Sequence, residues 1–453
     1  MALCLLVTAA LHADEPTMTT LRAGAAQIEV NPPAVGTVLA MRAERSTGIA
    51  ESLFARALVL DDGTARVVLV TNDYCGFDIP FHARLAKAIS AATDIPVSHI
   101  MINSSHNHSA PLIGSWAPPN DGPQPWHDEL IEKFARVARQ AADDLRPARL
   151  RFRREATQIG MNRRLMHEGQ MVMAPNPHGN HLPWIDVLSV AEPDGKRIAV
   201  LFSHAAHPVV VQSASTLIGG DYPGYTIKRL EAMARAGGSR SMFMFAQGAG
   251  GDINAFPLAG GIQAADTVAR DLSYAVARAI KTPGGVLDGV PLRVGTREVA
   301  LPLQEPPPRA VIEARIAATR DERRQVWLRG LLAMQDKGQD QRTMAFPMTA
   351  FALGDDFCLL GLPHETFSYY TLFAERVSPF ESNMVLGYTN GVNGYVATRR
   401  DYLLSAAGGY EASRLGSAMN YTTRLAPKPE SQALIEAGIR DLYAQVLSKK
   451  KEE

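Results

Sequence analysis

Two imidazoles are separated by one residue in the segment Ser105-His106-Asn107-His108-Ser109, directly after the apolar run HIMIN. In an extended chain, residues two apart face the same side, so both rings could converge on one point. Imidazole is a common ligand of zinc and of other transition metals. The spacing alone leaves two interpretations open, a metal site or two loop histidines held by hydrogen bonds.

Ligand-type residues also end other strand-like runs. RIAVLFSHAAHP carries His204 and His207, and the proline that follows disfavours a helical position for His207. FCLLGLPHETF ends in His364 and Glu365. Each has an ordinary explanation, as a hydrogen-bonded core histidine or as an acid at a helix N-terminus. Together, two imidazoles and a carboxylate are the protein ligands of a common open zinc site, in which water completes the coordination.

A glycine-rich turn ends the run SMFMFAQGAGGDIN, at Gly248–Asp252. Such a turn lets a ligand approach the backbone, and its N–H groups could bind an anion or a developing oxyanion. It lacks the G-x-G-x-x-G pattern of a dinucleotide site. A tight structural turn is the alternative.

These segments alternate with stretches whose apolar residues recur every three or four positions, which predicts an α/β protein with mixed sheets flanked by helices. The predicted strands include 55–63, 65–76, 99–105, 197–208, 241–252 and 357–365. The predicted helices are 80–93, 127–145, 223–236, 263–280, 309–336 and 430–447. Two stretches rich in Pro, Gly and Asn, 113–126 and 168–185, are predicted to be long surface loops.

The composition is that of an ordinary globular protein. The chain has 453 residues, of which 46% are apolar and 20% charged, and its 46 basic residues balance 46 acidic ones. A neutral chain does not bind nucleic acid through a bulk electrostatic field, so no nucleic-acid partner is expected. Of the three cysteines, Cys75 and Cys358 are predicted to be reduced core residues, with a bridge between them as the alternative.

Residues 1–20 contain an apolar run of about a dozen residues, which is typical of a signal peptide. A disordered N-terminal extension is the alternative. We therefore expect a secreted or periplasmic protein, and no other segment is expected to cross a membrane. Residues 426–453 are expected to form a C-terminal helix and a basic tail.

Five segments, in order along residues 21–425, resemble the neutral ceramidase family of neutral/alkaline, non-lysosomal zinc amidohydrolases. SSHNHSAP resembles its Thr-His-Thr-His-Ser-Gly-Pro segment, and FSHAAHPVVV with GGDYPGY resembles its second histidine and the Asp-x-x-Gly that follows. QGAGGDINAF, LPHETF, and NGYVATRRDY with GGYEAS resemble its Gly-Asp-Val-Ser-Pro, Pro-Gly-Glu and tyrosine-bearing segments. The resemblance implies one large catalytic domain over 21–425.

The resemblance also implies a Zn²⁺ cofactor with four ligands: His106, His207, Glu365 and Tyr395. His108 would handle protons beside the metal, together with Glu365. Arg163 would bind the substrate, and Tyr410 would contact its scissile group. Asp221 and Asp252 are expected to orient the histidines, a usual role of carboxylates near a metal.

Three departures from the family pattern affect the expected substrate. The family's serine after Gly-Asp-x is Asn254 here, which excludes an acyl-enzyme at that position but leaves a hydrogen-bond donor for an oxyanion. His364 stands where the family has glycine, and could line the site or pack. The family's C-terminal immunoglobulin-like domain is expected to be absent.

The expected activity is hydrolysis of an N-acyl amide bond in a small-molecule or lipid-like substrate, by water that the metal activates. Two alternatives remain. One is a zinc hydrolase acting on an ester, lactone or glycan-derived compound, and the other is a secreted binding protein without catalysis.

Overall fold

The structure of the protein is a computed structural model, and it describes residues 21–40, 44–114, 123–287, 289–320, 322–338, 342–413 and 425–447. The predicted signal segment and the basic tail after residue 447 lie outside these ranges, as does most of the predicted loop 113–126.

Three larger sheets form the frame of the described residues. Their strands, in spatial order, are Ile100–Ser104, Arg66–Asn72, Phe54–Asp61, Arg22–Glu29 and Arg146–Pro147 in the first sheet; Met242–Gln247, Arg197–His204, Trp184–Ala191, Arg149–Ala156 and Val286–Leu287 in the second; and Leu292–Pro302, Thr343–Leu353, Phe357–Gly361 and Ser382–Leu386 in the third. Neighbouring strands in each sheet run antiparallel, except for one pair at an edge, which runs parallel.

Short strands form smaller sheets around this frame: Val35–Val38, Arg45–Ile49 and Leu217–Ile218; Gly76–Phe77 and Leu112–Ile113; Gly160–Asn162 and Ile253–Ala255; Arg164–His167 and Gln170–Met173; and Glu365–Thr366 and Tyr395–Val396. The α-helices are Ile79–Thr93, Pro125–Asp143, Asp221–Ala236, Ile262–Lys281, Arg309–Ala318, Glu322–Asp336, Tyr369–Val377, Arg399–Leu403, Gly409–Ala412 and Ser431–Val446, and the short 3₁₀ turns are Val97–His99, Gln212–Ala214 and Ser405–Ala407.

The three sheets share an inner core, and helices cover the outer face of each. In the strand Phe54–Asp61, Leu58 and Leu60 point into the shared core, whereas Ala57 and Val59 pack under the helices Ile79–Thr93 and Pro125–Asp143. Because both faces of such a strand are buried, its sequence is a continuous apolar run rather than an alternating one.

The parallel edges of the three sheets meet, and a single side chain links them. Asn103, near the end of Ile100–Ser104, donates from Nδ2 to the carbonyl oxygens of Gln247 at 3.2 Å and Gly387 at 2.7 Å. Its Oδ1 accepts a bond from Gln247 N at 2.8 Å. The carboxyl ends of strands from all three sheets are therefore fixed at one place.

The α/β class with mixed sheets is confirmed, as are most predicted helices to within about two residues. The charged region 309–336 is helical as predicted, but it forms two helices, because Arg309–Ala318 ends in extended backbone at Thr319 and a second helix begins at Glu322. The predicted loop 168–185 contains the strand Gln170–Met173, which forms a hairpin with Arg164–His167.

Cys75 and Cys358 are buried free thiols, as predicted. Within the described ranges, no helix combines the length and the apolar character needed to span a bilayer.

Candidate metal centre

The three predicted histidine and carboxylate ligands each follow a strand of a different sheet. In each sheet, that strand belongs to the pair that runs parallel. His106 follows Ile100–Ser104 of the first sheet, His207 follows Arg197–His204 of the second, and Glu365 follows Phe357–Gly361 of the third. All three side chains are 0% exposed. His106 has a φ of 61°, a left-handed conformation that non-glycine residues adopt at a cost and that occurs preferentially at functional sites.

Backbone carbonyls fix the tautomer of both histidines. Nδ1 of His106 lies 2.8 Å from Cys75 O, and Nδ1 of His207 lies 2.8 Å from Gly250 O and 3.0 Å from Ile253 O. A carbonyl only accepts, so each Nδ1 carries a proton and Nε2 is the nitrogen that remains to bind a metal. This is the usual way in which a protein presents histidine to a metal.

Both Nε2 atoms point at one oxygen of Glu365. Oε2 lies 2.7 Å from His207 Nε2 and 3.2 Å from His106 Nε2, and the three ligand atoms lie within 4.8 Å of one another. Ligands about 2 Å from a tetrahedral zinc ion are roughly 3.3 Å apart, so the spacing is of the right size. Three buried acceptors facing each other are stable only with a proton or a cation between them. The residues present therefore fit a divalent metal.

Burial and neighbouring charges set the ionisation states of the three ligand residues. Burial, and then the charge of Arg163, lower the pKa of His207 to about 4, so its ring is neutral at pH 7. Burial alone would raise the pKa of Glu365, but the adjoining histidines hold it well below its usual range. Burial alone would lower the pKa of His106, but Cys75 and Glu365 raise it to about 10, so without a metal its ring carries a second proton beside the Glu365 carboxylate. A metal ion binds neutral imidazole and ionised carboxylate, and it would displace that proton.

Tyr395 lies beside Glu365 as its direct partner in a two-stranded parallel ladder. Its Oη lies 3.2 Å from a guanidinium nitrogen of Arg163. Burial and the Glu365 charge raise the pKa of Tyr395 well above its ordinary value despite Arg163. The phenol is therefore neutral unless a cation binds next to it.

Sequence reasoning missed Tyr388, which contacts all three ligand residues. Its Oη lies 3.4 Å from both His207 Nε2 and Glu365 Oε2, and its ring stacks on His106 with centroids 4.4 Å apart. Tyr388 follows the strand Ser382–Leu386, so a polar residue after an apolar run, as at the other ligands, would have identified it.

His108 lies at the edge of this cluster. Its ring centroid is 5.2 Å from that of His106 and 5.9 Å from that of His207, and the residue is 7% exposed. Burial and the neighbouring imidazoles lower its pKa well below the usual range. The His106-x-His108 spacing thus places the His106 ring against Glu365 and the His108 ring beside that of His106.

Arg163 connects the metal cluster to the remaining predicted residues. Its guanidinium donates to Asn254 Oδ1 at 2.9 Å and lies 5.6 Å from the ring centroids of both Tyr395 and Tyr410. The rings of Tyr395 and Tyr410 meet edge to face at 5.5 Å. Glu411, which sequence reasoning did not select, pairs with Arg163 at 3.4 Å and also with Arg164.

The two aspartates bond to backbone and to other side chains. Asp221 accepts from the amides of Val211 at 2.8 Å and Tyr222 at 2.6 Å, and so fixes the chain that follows His207. Asp252 accepts from Ser368 N at 2.7 Å and Ser368 Oγ at 2.8 Å, and so fixes the chain that follows Glu365.

Two amides of the glycine-rich turn make structural hydrogen bonds. The amides of Gly248 and Gly251 donate to His204 O and Thr366 O, so neither is available to an anion. The turn brings chains close together instead, because a Cβ at Gly251 would lie 2.4 Å from Glu365 O.

Neither of the other two histidines reaches the cluster. His204 bonds through Nδ1 to Trp184 O at 2.7 Å. His364 packs, since Nδ1 accepts from Asn393 N at 3.0 Å and Nε2 lies 2.8 Å from Ala345 O.

The comparisons with known proteins concern the fold. No protein-family model and no curated protein sequence matches the chain. Among solved structures, the neutral ceramidase from Pseudomonas aeruginosa matches with a TM-score of 0.71 and 18% identity, over 96% of this chain and 76% of that one. A ceramidase complexed with C2 matches with a TM-score of 0.72 and 17% identity, over 96% and 77%. The chain has the neutral ceramidase fold. The resemblance predicted from the five segments is confirmed at this level.

Proposed function

We propose that the protein is a zinc-dependent hydrolase that cleaves an N-acyl amide bond. The observation that carries this proposal is the convergence of His106 Nε2, His207 Nε2 and a Glu365 oxygen within 4.8 Å, where three sheets of a neutral ceramidase fold meet. Because fold alone does not determine function, the ligand geometry is the stronger support.

His106, His207, Glu365 and Tyr395 would hold the ion. When bound, zinc polarises a carbonyl oxygen and lowers the pKa of a water molecule to about 7. Glu365 supplies the negative charge, and Tyr395 supplies a second oxygen from the adjoining strand. Arg163, which donates to the Tyr395 oxygen, stabilises that phenol in its ionised form once a cation is present.

Proton transfer falls to His108 and Glu365 in this proposal. His108 adjoins both histidine ligands, so it can accept a proton from the attacking water and return it to the leaving amine. The Glu365 carboxylate is the alternative acceptor.

Asn254 and Tyr410 would stabilise the oxyanion that forms at the carbonyl carbon. The bond from Arg163 to Asn254 Oδ1 fixes the orientation of the amide, so Nδ2 is its donor, and Nδ2 lies 3.9 Å from Met173 Sδ, a weak acceptor that an oxyanion could replace. Arg163 also lies against the Tyr410 ring. Loss of one such donor typically lowers kcat by about 10²- to 10³-fold. Arg163 itself is proposed to bind the substrate next to this group.

The substrate is proposed to be lipid-like, on the basis of the likeness to a neutral ceramidase. The same cluster could hydrolyse an amide or an ester, since the two substrates differ only in the group that leaves.

The decisive experiment compares two buried histidines three residues apart. We expect His207→Ala to lose zinc, measured by elemental analysis of purified protein, and to lose hydrolysis of N-acyl compounds. His204→Ala removes an imidazole of similar burial whose ring nitrogen bonds only to the backbone, so zinc content should persist. Full zinc content in His207→Ala would contradict the proposal.

The substrate panel decides between the alternatives. N-acyl amides of graded chain length are compared with esters, lactones and glycosides on the wild-type protein. Preferential turnover of amides supports the proposal, and preferential turnover of another class replaces it. Stoichiometric zinc without turnover of any compound would identify a binding protein.

A further inference from the structure

Tyr388 has no role assigned above, yet it contacts the three His and Glu residues proposed as zinc ligands. Its phenol oxygen is 3.4 Å from Glu365 Oε2 and 3.4 Å from His207 Nε2, while its ring stacks on His106 at 4.4 Å and 30°. One side chain thus contacts all three residues through two different groups, the hydroxyl and the ring face.

The backbone holds Tyr388 in this position against its conformational preference. Its φ of 50° is in the left-handed region, which is a genuine outlier for a bulky residue and costs roughly 1–3 kcal/mol. Two backbone bonds fix it, from Tyr388 N to His364 O at 3.0 Å and from Ser104 N to Tyr388 O at 3.3 Å. These bonds tie it to the segments that carry Glu365 and His106.

We propose that Tyr388 is a positioning residue of the metal centre, which donates its hydroxyl hydrogen to the Glu365 carboxylate and fixes the His106 ring by stacking. This inference rests on the proposed metal site. Phenol can donate whereas the ligand atoms around it accept, so the hydroxyl limits the rotation of the carboxylate. The roles of the two tyrosines then differ: Tyr395 is the ligand, and Tyr388 orients ligands.

Hydrogen bonds to metal ligands typically change metal affinity by about 10- to 100-fold. Tyr388→Phe removes the hydroxyl and keeps the stacked ring, so we expect a loss of zinc affinity in this range. Tyr388→Leu removes both and should lose more. The zinc dissociation constant is measured by titrating metal-free protein against a chromophoric chelator, which requires no substrate.

Tyr222→Phe is the matched control. Tyr222 is also fully buried, and its hydroxyl donates at 2.7 Å to a backbone carbonyl, that of Ala206, rather than to a ligand side chain. We expect this variant to lose thermal stability but to bind zinc as the wild type does. The inference is wrong if Tyr388→Phe binds zinc within about threefold of the wild type. That result would leave the proposed function intact, because the proposed function requires only that the wild type binds zinc.

Copper substitution separates an orienting tyrosine from a ligating one. A phenolate bound to Cu²⁺ gives a charge-transfer band in the visible spectrum. We expect the band to persist in Tyr388→Phe and to disappear in Tyr395→Phe. Loss of the band in Tyr388→Phe would make Tyr388 itself a ligand and would overturn the orienting role.

Discussion

Gly251→Ala tests how closely the metal centre depends on the turn behind it. A Cβ at residue 251 would lie 2.4 Å from the carbonyl oxygen of Glu365 and 2.9 Å from its carbonyl carbon. The obstacle is backbone, so no side-chain rotation relieves it. Either the turn or the Glu365 strand must move.

The size of the movement follows from these distances. A Cβ is essentially never found within 3.0 Å of another heavy atom, so the carbonyl oxygen must shift by about 0.6 Å. Metal–ligand distances tolerate about 0.2 Å. The shift therefore exceeds what the coordination can absorb, and we expect zinc affinity to fall by about 10- to 100-fold. Overpacking should also lower the free energy of unfolding by about 1–3 kcal/mol.

The assay is zinc titration of metal-free protein, with urea unfolding on the same samples. Gly237→Ala is the control, because a Cβ there meets its nearest neighbour at 3.5 Å, an ordinary contact. Wild-type zinc affinity in Gly251→Ala, at unchanged stability, would refute the link between the turn and the Glu365 position.

Three further outcomes are expected. Glu411→Gln leaves Arg163 and Arg164 without their shared carboxylate, so urea unfolding should show a loss of about 3–5 kcal/mol in the free energy of unfolding. Asp143→Asn, which removes the carboxylate of an exposed ion pair, should lose less than about 1 kcal/mol. Equal losses would contradict the importance of the buried Glu411 charge. Burial is the main cause that raises the pKa of Glu51 to about 7, so the folded state holds a proton there that the unfolded chain releases near pH 4.5. Wild-type stability should therefore fall between pH 5 and 8 relative to Glu51→Gln by up to about 3 kcal/mol, and parallel urea profiles of the two proteins would exclude this. Removal of metal by a chelator should lower the melting temperature, and zinc at 1,000 times its dissociation constant should restore about 4 kcal/mol; an unchanged melting temperature would argue against a metal bound to the folded state.

Local pattern drew attention to the candidate residues, since a buried strand and its terminus are both local features. Apolar runs that end in polar residues indicated His106, His207 and Glu365, but equally His108, His204 and His364, and the resemblance to the neutral ceramidase family selected the expected ligands among them. The partners of Asn103, at residues 247 and 387, could not be predicted, because period and propensity do not specify which strand ends meet. Tyr388 was missed although its local signal was equivalent.

The third sheet was harder to predict than the other two for a physical reason. Its strand Thr343–Leu353 contains Pro347, which normally argues against a strand interior. The pairing explains the exception: Phe357–Gly361 pairs only with Thr349–Leu353, so Pro347 lies where that strand has a single neighbour.

Each of the three sheets contributes one residue to the cluster of His106, His207 and Glu365, and His106 and Glu365 are 259 positions apart along the chain. No single sheet, and no pair of them, assembles a complete binding site. A metal bound tightly at this site would hold the three sheets together, and it would bind only to chains in which all three sheets have docked. Metal occupancy would then report the completion of folding, well before any substrate is added.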